Sequence, residues 1–224
     1  TTGTLNTLVG GLAGDALTDG EANVAIGYGA LGTEDQADAN VAVGVNALAT
    51  QNAGTSEAYN TAVGHNAGRQ VTTGTNNTLV GGLAGDALTT GQENIAMGRN
   101  ALTADTKGQK SVALGNGTLQ TQNFTTATDT YNVAVGHAAG ASVTTGTLNT
   151  FVGGLAGDAL TTGTDNVAVG YQALSADTLG RHSVAIGDVA LSSQNFTTDT
   201  ASNNTAVGHE AGNGITTGIR NTLM

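Results

Sequence analysis

The feature that most restricts what this chain can fold into is a short motif that returns every 17 residues. It reads Asn, a β-branched residue, Ala or Leu in most copies, an aliphatic residue, then Gly. Copies open at Asn6, Asn23, Asn40, Asn60, Asn77, Asn94, Asn132, Asn149, Asn166, Asn204 and Asn221, and Ser111 and Ser183 open the same motif with Ser in place of Asn. Nine of the twelve intervals are 17 residues and the other three are 20 or 21. A fixed short period marks a solenoid or array, in which one unit cannot bury its apolar residues without its neighbours. Every fourth unit matches best, so a super-period of about 72 residues lies over the shorter one: residues 6–76, 77–148 and 149–220, all within a single domain spanning 1–224.

Each unit reads as two short strands joined by two turns. In Val24-Ala25-Ile26 the outer pair points one way and Ala25 the other, because strand side chains alternate. The second strand carries one dominant apolar residue, early in the second and third units of a set (Leu31, Leu48) and three residues later in the first and fourth (Leu17, Val71). Gly every few residues, with no i, i+3, i+4 stripe, argues against helix. A unit of 17 residues is too short for a propeller blade. The expected fold is all-β, a parallel β-solenoid or β-roll of about 13 coils, roughly 58 Å long at about 4.8 Å per coil. The opening Asn is expected at a left-handed corner and in an Asn ladder, the Gly at a turn, and the Val, Ile and Leu side chains in a narrow dry core.

Composition agrees with a thin structure. The 224 residues include 35 Gly, no Pro, Cys or Trp, and only 3% aromatics. Without Cys there is neither a disulfide scaffold nor a thiolate metal site. A net charge of −11 with only six Lys and Arg argues against nucleic-acid binding. No apolar run approaches the roughly 20 residues that span a membrane, so no membrane insertion by this segment is expected. The chain opens and closes inside a repeat and is expected to be a piece of a longer one.

Ser111-Val-Ala-Leu-Gly, Ser183-Val-Ala-Ile-Gly and Asn23-Val-Ala-Ile-Gly resemble the repeat of YadA-like head domains in trimeric autotransporter adhesins. The longer units, with NTAVGH at 60–65 and 204–209 and NVAVGY at 166–171, look still more like the related repeats of phage tail fibres and fibre-like surface proteins. The resemblance covers essentially the whole chain in thirteen copies. It implies a left-handed roll, three chains side by side in an elongated homotrimeric fibre, an extracellular place on a virion or cell surface, and an attachment role. A phage tail fibre or virion appendage presenting a receptor-binding tip is the first expectation, and a bacterial surface adhesin the second. The 17-residue unit is longer than the usual adhesin head repeat. Trimerisation has separate support, since a thin coil encloses little apolar area and small cores need oligomerisation.

The residues offer few candidate sites. Leu8, Leu79, Phe151 and Leu223 put bulk at the middle strand position, where other units have Ala, and are expected to pack between chains. His65, His137 and His209 share one register just after the strand Gly; within a chain they lie about 19 Å apart, so they could hold an ion only if three copies met on a trimer axis. The insertions at 51–59, 122–131 and 194–203 carry Tyr59, Phe124, Tyr131 and Phe196. These aromatics either tuck under their loops or form a contact surface for a host glycan or receptor. Gly27–Gly32 matches G-x-G-x-x-G but no helix follows it. Asp15, Asp86 and Asp158 lie four coils apart, too far to share calcium. Carboxylates such as Glu34-Asp35 read as solvated turns. No cofactor, metal or enzyme activity is expected. An ice-binding face is a further alternative, because Thr-Thr pairs recur at 72–73, 89–90, 144–145, 161–162 and 216–217, though with interruptions.

Overall fold

The computed structural model describes residues 2–54 and 57–224 and contains one long sheet. Its strands are β1 (Thr7–Val9), β2 (Val24–Ile26), β3 (Val41–Val43), β4 (Thr61–Val63), β5 (Thr78–Val80), β6 (Ile95–Met97), β8 (Val112–Leu114), β10 (Val133–Val135), β11 (Thr150–Val152), β12 (Val167–Val169), β14 (Val184–Ile186), β16 (Thr205–Val207) and β17 (Thr222–Leu223). These thirteen strands pair in parallel in chain order. Equivalent residues lie opposite one another throughout, as in Val133↔Val112 and Ala134↔Ala113. The chain is therefore a β-solenoid that advances one coil per motif.

Among the described residues each coil contributes one strand to the long sheet, and the expected second strand does not form. The segment expected as the second strand is a run of turns. It cannot extend, because the residues six and eight places after the opener are left-handed; Leu102 and Leu119 have φ of 53° and 45°. Among the described residues short pairs appear only beside the insertions, β7 (Gly108–Gln109) with β9 (Thr128–Asp129) and β13 (Gly180–Arg181) with β15 (Thr200–Ala201), with a single bridge of Asp38 to Glu57 at the first. Another left-handed residue is the one just before the opener, such as Glu93 (φ 57°) or Lys110 (φ 60°), and not the opening Asn itself.

The opening Asn residues do form a ladder. Asn94 N donates to Asn77 Oδ1 at 3.0 Å, and Asn94 Nδ2 donates to the Gly108 carbonyl at 2.9 Å. The strand-ending Gly has a double reason to be Gly. Gly115 has φ +136°, and a Cβ there would come within 2.5 Å of the Gly136 carbonyl oxygen of the next coil.

The faces of the sheet are the reverse of the expected ones. The middle strand residue points inward: Ala25, Ala42, Leu79, Ala113, Phe151 and Ala168 are wholly buried. The flanking Val and Ile point outward. The interior is a thin sandwich of this position against a buried Ala seven residues after the opener (Ala84, Ala101) and one larger aliphatic. So narrow a lumen admits only Ala at most middle positions. Leu79 and Phe151 therefore fill their own coil and do not pack between chains, while Leu8 and Leu223 hold the same position in the two end coils.

The super-period follows from volume. In Gly85 an added Cβ would lie 2.8 Å from Leu79 Cδ2, and in Gly140 it would lie 2.8 Å from Phe151 Cδ2. A bulky middle residue thus needs Gly, eight places after the opener, in its own coil and in the coil before. Coils two and three, with Ala in the middle, place Leu102 or Leu119 there instead.

Candidate interaction surface

The insertions do not all present their aromatics. Phe124 and Phe196 are only 7% and 6% exposed, tucked beneath their loops. Tyr59 and Tyr131 are about half exposed. Tyr131 shares Asp129 Oδ2 with Lys110, at 3.2 and 2.6 Å. The Lys110 ammonium holds the Asp129 carboxyl below its usual range and also lies over the Tyr131 ring. Hydrogen bonding to Glu57 raises the Tyr59 hydroxyl pKa. Of the first insertion, Thr55 and Ser56 lie outside the described residues.

Beneath these loops is a polar cluster that sequence reasoning missed. Where Ser111 replaces Asn, Gln122 bridges the gap: its Nε2 donates to Asp105 Oδ2 (2.6 Å) and Ser111 Oγ (2.9 Å), and its Oε1 accepts from Asn132 Nδ2 (2.9 Å). Asp177, Ser183, Gln194 and Asn204 repeat the arrangement. All these residues are buried. Burial pushes the Asp105 pKa up, against the lowering effect of its hydrogen bonds from Gln122 and from backbone amides. Glu34 is likewise buried, not solvated; its Oε1 accepts the amides of Asp35, Gln36 and Ala37. The signal available was the coincidence of Gln with every insertion. The groups around Gln122 and Gln194 satisfy one another and face no solvent, so they are structural; in the first insertion the buried Gln51 Nε2 has no partner among the described residues.

His65, His137 and His209 are exposed, each beside the end of its strand. His209 Nδ1 lies 3.4 Å from Asp188 Oδ2 of the preceding coil. Among the described residues no three His, Asp or Glu side chains converge to hold a metal ion. Asp86 and Asp158 are partly buried with raised pKa values, again from desolvation, and neither meets the other.

The largest unaccounted feature is the outer face of the thirteen-stranded sheet. Its two columns, one residue either side of the buried middle position, carry Val, Ile, Thr, Leu and Met from end to end. Ile26, Val63, Met97, Val152, Ile186 and Val207 each remain 37–43% exposed. Thirteen rungs at about 4.8 Å, two side chains wide, make an apolar stripe of about 600 Å². That is at the upper limit for the largest patch on an ordinary monomer, and such patches mark interaction sites. The Thr-Thr pairs lie elsewhere, in the turns, where Thr72 and Thr89 hydroxyls donate to carbonyls of the next coil. No helix among the described residues is long and apolar enough to cross a membrane. Comparison with models of known protein families, with curated proteins and with solved structures gave no match.

Proposed function

We propose that this chain is a structural and adhesive segment of a trimeric extracellular fibre. The reading takes its biological setting, a phage tail fibre or similar virion appendage that holds a receptor-binding tip towards the host surface, from the motif resemblance. Its single carrying observation in the structure is the apolar outer face of the sheet, which runs the full length of the rod uncovered by the chain's own described residues. The partners that fit it are two more copies of the same chain, because a repeating stripe is matched in length and period by another identical stripe. About 600 Å² per chain approaches the roughly 800 Å² per partner of a stable interface. Three faces turned to one axis would convert marginal thin coils into a single rod with a continuous centre. The left-handed winding implied by the resemblance belongs to the same reading.

Sedimentation equilibrium tests it directly. The wild-type chain should sediment as a trimer, and a variant carrying Val63→Asp and Val135→Asp should sediment as a monomer with its β circular dichroism intact. A wild-type monomer at micromolar concentration would overturn the proposal. In that case the free flat face, with its ordered Thr and Val methyl groups, should be assayed for thermal hysteresis as an ice-binding surface.

A further inference from the structure

The two edges of the apolar face carry exposed side chains; Lys110, Asp165, His182, Asp188 and His209 already have charged partners within the chain, whereas Arg99 and Glu93 have none among the described residues. One edge is the position five residues after each opener, and the other is the position just before it. They stand at opposite ends of one strand, about 20 Å apart along the chain. We infer that in the trimer the first edge of each chain lies against the second edge of the next, with equivalent coils at the same height. This inference rests on the trimeric reading above.

Closure supplies the first reason. A three-fold ring without a rise along the axis requires a heterologous contact, in which one patch meets a different patch on its neighbour. The chain turns at the left-handed residue before the opener and at the strand-ending Gly. About 20 Å is therefore an upper limit for the side of a triangular prism, which puts each sheet no more than about 6 Å from the axis. The apolar columns would fill the prism, and the two edges would meet at its corners.

The second reason is complementarity, coil by coil. Arg99 and Glu93 are the two edge residues of one coil, both exposed, and they form no ion pair among the described residues. Asp188 and His182 are the two edge residues of another, but within the chain Asp188 already lies 3.4 Å from His209 and His182 lies 3.8 Å from Asp165, so the charge argument rests on Arg99 and Glu93. Size is matched as well as charge. Tyr28, 57% exposed, shares its coil with Ala22, whereas Leu148, 50% exposed, shares its coil with Gly154. In these two coils a bulky residue on one edge goes with a small one on the other, while His65 with Tyr59 and His137 with Tyr131 are large on both.

The third reason is register. If neighbouring chains were shifted by one coil in one direction, Arg99 would face Lys110. Shifted by one coil in the other direction, Asp188 would face Asp165. Both staggered arrangements place like charges together, and only the level one sets Arg99 against Glu93. In the level arrangement His65 and His137 meet Tyr59 and Tyr131 at the corners, so the three His copies do not converge on the axis.

The chain has no Cys, so engineered thiols report contacts cleanly. A variant with Arg99→Cys and Glu93→Cys should give covalent trimers on non-reducing denaturing electrophoresis after mild oxidation. A variant with Arg99→Cys and Lys110→Cys should give none. In the Cys-free chain, Arg99→Glu should weaken trimer assembly by about tenfold, and adding Glu93→Arg should restore it. A chain that sediments as a trimer but links through the staggered pair, or through neither pair, overturns the inference and leaves the trimeric reading standing. A chain that sediments as a monomer removes both.

Discussion

Asp105 shows how a single residue in this solenoid acts through its surroundings. It sits where an insertion interrupts the Asn ladder, and its carboxylate receives Gln122 Nε2, Gly108 N and Phe124 N in place of the ladder's bonds. Those bonds favour the ionised form, but burial disfavours it more, and the pKa rises. The sign of the pH effect follows. Between the ordinary value of about 3.9 and the raised one, the folded chain holds a proton that the unfolded chain has lost. Stability therefore falls as pH rises through that window and is recovered as pH drops towards about 4. Denaturation midpoints at pH 7 and pH 4.5 should show the wild type gaining stability on acidification, and Asp105→Asn should gain less. Equal gains would mean that Asp105 is ionised in the fold as readily as in the unfolded chain.

A coil, as an element, is governed by one volume rule: a large middle side chain is admitted only between two Gly positions. A Cβ on Gly157 would lie 2.5 Å from Phe151 Cδ1, so the ring occupies the space that Leu fills in coils two and three. Phe151→Ala should cost about 3–5 kcal/mol, because the rigid turns around it cannot collapse into the space. Phe151→Leu should cost under about 1.5 kcal/mol, since Leu79 already occupies the matching place in the preceding set. Urea denaturation of the two variants measures the difference. Equal costs would show that the site relaxes freely and that the rule is not one of volume.

At the scale of the whole molecule the rod is nearly one-dimensional, each coil touching only the coils above and below it. Deleting residues 77–148 should leave a well-folded, shorter rod, because Phe151 would then drop into the hollow at Gly68 that Leu79 now fills. Deleting only residues 77–93 should be worse than deleting all four coils. That smaller excision sets Ala96 against Gly68 and leaves the hollow empty, costing about 3 kcal/mol or more. Thermal melts of the two deletions should therefore rank against their lengths, with the longer chain melting lower. The opposite order would mean that coil number, and not the four-coil pattern, sets stability.

Much of this was legible without coordinates. The 17-residue recurrence of Asn and Gly determined a parallel stacked-coil fold, because only identical units set one above another can use an identical corner thirteen times. The recurrence of NTLVGGLAGDALT likewise marked a four-coil pattern. What the sequence could not decide was which side of a three-residue strand faces inward. Alternation separates Val24 and Ile26 from Ala25 but assigns neither to the core, and hydrophobicity favoured the wrong pair. The tertiary structure settled it by lumen width: the coil is too thin for branched side chains on both walls, so Ala goes in and Val goes out. The same width turned Leu79 and Phe151 from contact residues into core. It also buried Phe124, Glu34 and Asp105, whose burial depends on how a neighbouring coil closes over them and leaves no mark in their own stretch of chain.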